Sequence, residues 1–174
     1  GTKDRTSQLI RELAEKDPHV QGYVFARNFG HQLALTCGLD QSTGDAVISM
    51  DGDLQHPPEM VPELLKKWEE GYEIVQTVRK ATEDATWFKN ITSRLYYKLI
   101  NSMSEVRVTP GGSDFRLMDR KAVDALNRFR ERARFIRGMV NNLGFRYTTL
   151  EFVAPPRFAG HSKFSLRKMP RFAL

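Results

Sequence analysis

The stretch from Asp45 to Pro58 constrains the fold of this chain more than any other part of the sequence. A short, mostly apolar run at residues 46–50 ends at two aspartates separated by one glycine, and two prolines follow after three intervening residues. A short apolar run bounded by turn residues is typical of a buried strand. In open α/β sheets, ligands bind at the carboxyl ends of such strands. We therefore expect the two carboxylates to lie at a ligand-binding edge of a sheet.

The same stretch contains candidate metal ligands. Asp51, Asp53 and Gln55 occupy alternate positions, so an extended backbone would direct the three side chains to one side. Their oxygen atoms suit Mg²⁺ or Mn²⁺, which usually keeps coordination positions for substrate phosphates. A solvated turn without a ligand is the alternative, because acids and glycine are common turn residues. The strand before the motif and the prolines after it favour a site.

Composition is that of one soluble domain. A hydrophobic fraction of 40% over 174 residues is enough for a real core. The single cysteine, Cys37, excludes an internal disulfide and is typical of a reducing compartment. No signal peptide opens the chain, and no apolar run approaches the roughly 18 residues that a membrane span needs. We expect this segment itself to be soluble.

Positive charge is concentrated at the end of the sequence. The net charge is +6, and residues 157–174 contain five Lys or Arg residues and no acid. Aromatic and aliphatic residues alternate with these charges. The combination suits an anionic membrane surface, where each basic residue contributes about 1 kcal/mol. Nucleic acid would attract the same charge, but no nucleic-acid-binding motif accompanies it, and a solvated tail is the remaining alternative.

Helical and strand patterns alternate along the chain. Apolar periodicity predicts helices near residues 9–14, 31–40, 60–68, 87–103, 122–126 and 135–143, and strands at 20–26, 46–50, 73–78, from 114 onward, and at 145–153. This alternation favours an α/β fold with a mostly parallel sheet and crossover helices. No repeat or linker divides it.

Four blocks in this order resemble the polyprenyl-phosphate glycosyltransferases of the bactoprenol glucosyltransferase and dolichol-phosphate mannose synthase type. The blocks are Arg27-Asn-Phe-Gly30, residues 44–59 around the two aspartates, Ser113-Asp114-Phe-Arg-Leu-Met-Asp119-Arg120, and Arg157-x-x-Gly160-x-Ser162-Lys163. The resemblance covers nearly the whole chain. It implies the GT-A fold, a Rossmann-like α/β sheet, and inverting sugar transfer. It also implies that the family's N-terminal strand would precede residue 1.

The resemblance implies roles for the residues of the first site. Asp51, Asp53 and Gln55 match the family's metal ligands, and together with Gly52 they match its nucleotide-sugar residues. Asp53 would act in catalysis through the metal. Asp114 matches the acid often called the catalytic base. Because a phosphate monoester is largely ionised at neutral pH, an orienting role for Asp114, through Arg116, is the alternative.

Phosphate-binding residues are implied in the same way. Arg79 matches an arginine near the acceptor phosphate, whereas Arg157, Ser162 and Lys163 match residues that close over the diphosphate. Arg134 and Arg137 could contact the acceptor phosphate, but we interpret them as solvated surface charges. The histidines beside the motifs, His56 and His161, lack the spacing of a zinc site.

The resulting hypothesis is metal-dependent, inverting transfer of a hexose from a UDP- or GDP-linked donor to polyprenyl phosphate at the cytoplasmic face of the membrane. Residues 1–156 would form the GT-A domain, and residues 157–174 a phosphate-clamping loop with a basic juxtamembrane segment. The expected cofactor is Mg²⁺ or Mn²⁺, and a homo-oligomer remains open. The alternatives are a GT-A enzyme with a polysaccharide or other non-lipid acceptor and a catalytically idle membrane-docking module.

Overall fold

The computed structural model describes residues 4–80, 112–129 and 134–153. The chain forms two compact units, Gly1–Gln41 and Ser42–Leu174. The predicted helix at 87–103 and the predicted basic segment at 157–174 lie outside the described residues. No helix in the described ranges is both long enough and apolar enough to cross a membrane.

Two helices form the first unit, α1 (Thr6–Lys16) and α2 (His31–Gln41). Both were predicted from the sequence, α1 from its apolar periodicity. The strand predicted at residues 20–26 is wrong, because a strand needs a hydrogen-bonded neighbour and no described strand pairs with this segment. The helices and the segment between them line a cavity of about 480 Å³. At its wall the guanidinium of Arg27 stacks on the ring of Phe29, 4.5 Å from the ring centroid.

In its described residues, the second unit contains a four-stranded sheet and three helices. In chain order these elements are β1 (Ala46–Ser49), α3 (Val61–Glu69), β2 (Ile74–Arg79), β3 (Gly112–Asp119), α4 (Arg120–Arg128), α5 (Ile136–Asn141) and β4 (Tyr147–Phe152). A short 3₁₀ turn, Pro58–Met60, precedes α3, since proline is well suited to a first helical turn. The predicted α/β class is confirmed.

The strand order of the sheet is β1-β3-β2-β4. β3 pairs antiparallel with β1 and with β2, and β2 pairs parallel with β4. Three of the four described strands therefore run in one direction, as a mostly parallel sheet requires. The sheet is nevertheless mixed, because β3 is inserted between two parallel strands and runs against both.

Alternation along β3 separates its apolar side chains from its charged ones. Phe115 and Leu117 belong to a core that also contains Met60, Leu64, Val75 and Phe152. Asp114 and Arg116 must point to the opposite face of the sheet, because successive side chains of a strand alternate. Both charged residues are nonetheless buried, so they need partners on that face.

The register of β3 decides which loops meet. Ser49 at the end of β1 lies opposite Arg116, and Val78 near the end of β2 lies opposite Gly112. The start of β3 therefore shares one edge of the sheet with the carboxyl ends of β1 and β2. The segment after β1, which begins with Asp51 two residues beyond Ser49, reaches the same edge.

Candidate functional site

The two aspartates that follow β1 lie in a turn. Residues 52–53 are turn residues, and the backbone N–H of Gln55 donates to Oδ1 of Asp53 at 3.2 Å. Leu54 has a positive φ of 61°, which residues other than glycine rarely adopt. The extended backbone expected for Asp51 to Gln55 is therefore wrong. A hydrogen bond from a backbone N–H to the side chain of an aspartate two residues earlier, as between Gln55 and Asp53, commonly closes such a turn.

The donor atoms of this turn suit a hard divalent cation. Asp51, Asp53 and Gln55 are all partly exposed, and the Asp51 side chain keeps 42% of its surface accessible. Among the residues that the structure describes, no three His, Cys, Asp or Glu side chains are arranged to hold a metal ion. A cation bound to the turn would therefore take further oxygen ligands from a substrate, as Mg²⁺ and Mn²⁺ commonly do.

His56 joins this turn to the start of β3. The backbone N–H of Asp51 donates to Nδ1 of His56 at 2.9 Å. Nε2 of the same ring lies 3.3 Å from Oγ of Ser113. His56 as a whole residue is only 7% exposed, and its ring stacks on Phe115, with centroids 5.2 Å apart. Sequence patterns missed this residue because its partner Ser113 is 57 positions away.

The charges around His56 show that the turn and β3 share one environment. Burial lowers the pKa of His56 below its usual 6.5, and Arg137 lowers it further, while Asp51, Asp53 and Asp114 raise it. The effect of burial is the largest of these. The imidazole is therefore neutral at pH 7, which agrees with an Nδ1 atom that accepts a hydrogen bond.

Asp114 is held by two arginines. Its side chain is 4% exposed, and its Oδ1 accepts from Nη2 of Arg116 and Nε of Arg137, both at 2.9 Å. Its Oδ2 accepts from Nη2 of Arg137 at 2.8 Å. The interpretation of Arg137 as a solvated charge is wrong, because it forms a bidentate ion pair with Asp114. The two arginines stabilise the ionised form of the Asp114 carboxylate, which favours an orienting role over that of a base.

Arg116 is the most deeply buried charge at this edge. It is 1% exposed, and burial lowers its pKa to about 10, with Asp114 opposing that shift. It remains protonated at pH 7. Within the described ranges, its Nε and Nη1 atoms have no hydrogen-bond partner, whereas Nη2 also donates to the backbone oxygen of Ser113 at 3.0 Å. Arg116 thus fixes both the side chain of Asp114 and the backbone before it.

The remaining predicted phosphate-binding residues divide into two groups. Arg79 is the last residue of β2 and is exposed, at the sheet edge where the turn and Asp114 lie. Arg157, Ser162 and Lys163 fall outside the described residues, and their roles stay predictions. The structure therefore brings together Asp51, Asp53 and Asp114 around His56.

Known proteins provide an independent comparison. The family model for glycosyl transferase family 2 matches residues 1–126. This match includes the turn after β1 and all of β3.

Three relatives align along the whole chain. An uncharacterized glycosyltransferase of Bacillus subtilis strain 168 is 42% identical over 174 residues, which are 54% of its own length. A bactoprenol glucosyl transferase of Shigella phage SfX is 40% identical over 174 residues, 57% of its length. A prophage bactoprenol glucosyl transferase homolog of Escherichia coli K12 is 38% identical, also over 57% of its length.

The chain spans about half the length of the curated relatives that it matches. Its similarity to them is nevertheless continuous, because each of these three alignments covers all of its own residues. The resemblance inferred from the four sequence blocks is confirmed. With the family model matching well over half of its residues, the chain belongs to glycosyl transferase family 2.

Proposed function

We propose that the protein transfers a hexose from a nucleotide sugar to a polyprenyl phosphate. Two of the similar relatives have names that state glucosyl transfer and bactoprenol. The similarity to them extends over both the Asp51 turn and the Asp114 strand. UDP and GDP are both candidate nucleotides of the donor.

One structural observation carries the proposal. The register of β1 on β3 places the partly exposed aspartates of the turn at the same sheet edge as the arginine-bound Asp114. A transferase needs a donor site and an acceptor site side by side, so that the reacting atoms meet in a productive geometry. The turn supplies oxygen ligands on one side, and the Asp114–Arg137 pair supplies a fixed arrangement of charge on the other.

The reaction follows from the chemistry of the two substrates. A phosphate oxygen of the acceptor attacks the anomeric carbon, and the bond from that carbon to the nucleoside diphosphate breaks. The bonding electrons leave with the diphosphate, and the anomeric configuration inverts. A divalent cation held by Asp51, Asp53 and Gln55 would stabilise the negative charge of the leaving group.

No general base is needed for this attack. The second pKa of a phosphate monoester is about 6, so the acceptor phosphate is largely dianionic at neutral pH. Asp114 would then orient Arg137 and Arg116 at the acceptor side. Arg79, at the end of β2, would contribute further positive charge to the acceptor phosphate, and Arg157, Ser162 and Lys163 would bind the diphosphate of the donor.

The acceptor requires a membrane nearby. A polyprenyl phosphate keeps its chain in the bilayer and exposes its phosphate at the surface, at the cytoplasmic face in this proposal. Residues 157–174 carry five basic residues and no acid, which suits attraction to anionic lipid. A GT-A enzyme acting on a polysaccharide is the second candidate, and it would turn over without any lipid phosphate.

The test uses the full-length enzyme in membranes with labelled nucleotide sugar and polyprenyl phosphate. Asp53→Ala should abolish the labelled lipid product, because it removes a carboxylate from the cation site. Asp124→Ala, which changes an exposed acid of α4, should leave the rate unchanged. Unchanged turnover of Asp53→Ala would reject the metal role. Transfer to a polysaccharide without lipid phosphate would reject the acceptor.

A membrane-docking module is distinguished by binding. The full-length protein should gain thermal stability from UDP or GDP only when Mn²⁺ is present, because the diphosphate completes the coordination of the cation. A docking module would show no such gain.

A further inference from the structure

A chain of hydrogen bonds runs from the Asp51 turn into the centre of the sheet. The backbone N–H of Asp51 contacts Nδ1 of His56 at 2.9 Å, and Nε2 of His56 lies 3.3 Å from Oγ of Ser113. That oxygen lies 3.0 Å from Oγ1 of Thr77, which donates to the backbone oxygen of Phe115 at 2.7 Å. The path therefore connects the turn with both β2 and β3.

Counting hydrogens fixes the direction of every bond in this path. Asp51 can only donate through its N–H, so Nδ1 of His56 must carry a lone pair, and the proton of the neutral ring is on Nε2. Nε2–H then donates to Ser113. Because the hydroxyl of Thr77 donates to Phe115, the Ser113 hydroxyl donates to Oγ1 of Thr77. One tautomer of His56 satisfies the whole path.

The surroundings hold the ring in this position. His56 stacks on Phe115 and meets Phe152 edge-on, with centroids 5.2 and 5.9 Å apart. The side chain is 8% exposed. Its Nε2 is also 3.8 Å from Oδ2 of Asp51, which is too long for a hydrogen bond. The Ser113 oxygen is therefore the partner of Nε2.

We propose that His56 is a positioning residue for the cation site. As the neutral, Nε2-protonated imidazole, it accepts from the backbone of Asp51 and ties the turn to the first residues of β3. It thereby sets where the Asp51 carboxylate lies relative to Asp114. This inference rests on the proposed function, in which Asp51 binds the cation and Asp114 lies on the acceptor side.

The expected loss of cation affinity can be judged from residues that orient metal ligands in other proteins. Removing such a hydrogen bond typically costs about 10- to 100-fold in metal affinity or activity. For substitutions of His56, we expect the main loss to be in affinity for the cation. The fold should persist where the ring packing is kept.

Three substitutions separate the hydrogen bond from the packing. His56→Phe keeps a ring between Phe115 and Phe152 but offers no acceptor to Asp51. His56→Asn places an amide oxygen near the position of Nδ1, so an acceptor remains. His56→Gln extends the amide toward the position of Nε2. His19→Phe makes the same chemical change at a side chain that is 91% exposed.

The measurements use the full-length protein in membranes or detergent. Hydrogen exchange by mass spectrometry reports protection of the peptide that contains the Asp51 amide. Electron paramagnetic resonance of Mn²⁺ with UDP or GDP reports the affinity for the cation. Steady-state transfer assays then give kcat and the Mn²⁺ concentration at half-maximal rate. Thermal melting checks that each variant is folded.

We expect His56→Phe to lose protection at Asp51 and to weaken Mn²⁺ binding about 10-fold or more, with melting close to that of the native protein. His56→Asn should stay within about threefold of the native affinity. Equal Mn²⁺ affinity and equal exchange in His56→Phe and the native protein would overturn the proposal. So would equal losses in His56→Phe and His56→Asn.

Two further outcomes are also decisive. If His56→Phe does not fold, the comparison of His56→Asn with His56→Gln replaces it, and equal behaviour of these two overturns the proposal. If the native protein binds Mn²⁺ but transfers no sugar, the proposed function fails. Hydrogen exchange and Mn²⁺ affinity then still decide the role of His56.

Discussion

Arg137 binds the carboxylate of Asp114 in a bidentate arrangement, with Nε donating to Oδ1 at 2.9 Å and Nη2 donating to Oδ2 at 2.8 Å. The arginine side chain is 43% exposed, whereas that of the aspartate is 4% exposed. The pair thus connects a buried strand residue with a surface that a substrate can reach. Planar, two-point binding of this kind depends on the guanidinium, and a lysine does not reproduce it.

The first prediction concerns this pair. Arg137→Lys keeps the charge but loses one of the two hydrogen bonds to Asp114, so the positive charge is less well oriented at the acceptor side. We expect transfer to fall about 10- to 100-fold, since small misplacements at a reacting site cost about that much. Arg128→Lys, an exposed arginine at the end of α4, is the matched control. Equal rates for the two variants would show that the bidentate geometry is not needed.

The second prediction concerns the energetic coupling between Asp114 and Arg137. Asp114→Asn should lower the rate by about 10²-fold, because Arg137 and Arg116 lose the carboxylate that orients them and a small misplacement at a reacting site can cost that much. If Asp114 acts by orienting Arg137, adding Arg137→Lys to Asp114→Asn should cost little more, because the effects of substitutions in one network are not additive. Rate measurements on both single variants and the double variant give the coupling. Fully additive losses would mean that Arg137 contacts the substrate independently.

The third prediction concerns the cation. Chelation by EDTA should abolish transfer, and added Mn²⁺ or Mg²⁺ should restore it, because the oxygen donors of the turn suit these ions. Asp51→Asn should raise the Mn²⁺ concentration needed for half-maximal rate. Asp124→Asn should not change it. Full activity in EDTA would exclude a dissociable cation from the reaction.

The fourth prediction concerns Asp119, which has two structural partners. Its Oδ1 caps α4 by accepting from the N–H of Lys121 at 2.9 Å, and its Oδ2 accepts from Nε1 of Trp68 at 2.8 Å. Asp119→Ala should lower the free energy of unfolding by about 2 kcal/mol, since a cap and a second hydrogen bond contribute roughly 1 kcal/mol each. Asp119→Asn should cost less, because asparagine also caps helices. Urea denaturation measures both, and equal losses would contradict the capping role.

The fifth prediction compares two neighbouring leucines of α3. Leu64 is fully buried in the core, whereas Leu65 is 36% exposed. Leu64→Ala should lower the free energy of unfolding by about 2–5 kcal/mol, because it leaves a cavity. Leu65→Ala should cost clearly less. Similar midpoints of urea denaturation for the two variants would mean that the core is not packed as described.

The elements that depend on local pattern were predictable from the sequence. α3 and α4 have apolar residues at helical spacing, and α4 also begins after Asp119, a residue type that favours helix starts. β1 follows from its short apolar run. These signals lie within about one or two helical turns of chain, so no knowledge of distant partners is required.

Features that depend on distant partners were not predictable. The direction of β3 is decided by pairing with β1 and β2, and alternation of side chains is the same in either direction. The segment at 20–26 has a strand-like composition, but composition alone does not supply a hydrogen-bonded neighbour. The turn at Asp51 replaced an expected extended chain because Asp53 satisfies the backbone N–H of Gln55.

The site was predictable as residue types but not as contacts. Asp51, Asp53 and Asp114 were identified from motifs, which the register of β1 and β3 then brings to one edge. His56 and Arg137 were assigned no role, because their partners lie 57 and 23 positions away. Buried histidine and half-exposed arginine have no local signature that reveals such partners.

The position of Asp114 within β3 limits how the sequence of this strand can evolve. Phe115 and Asp114 occupy opposite faces of the sheet because they are consecutive. Deletion of one residue between the start of β3 and Phe115 would therefore turn the Phe115 ring toward Arg137 and the Asp114 carboxylate into the apolar core. Substitutions along β3 alter one contact at a time, whereas insertions and deletions would exchange the two faces at once. Homologues that retain a functional Asp114 should therefore differ in the amino-acid sequence of this strand but conserve its length.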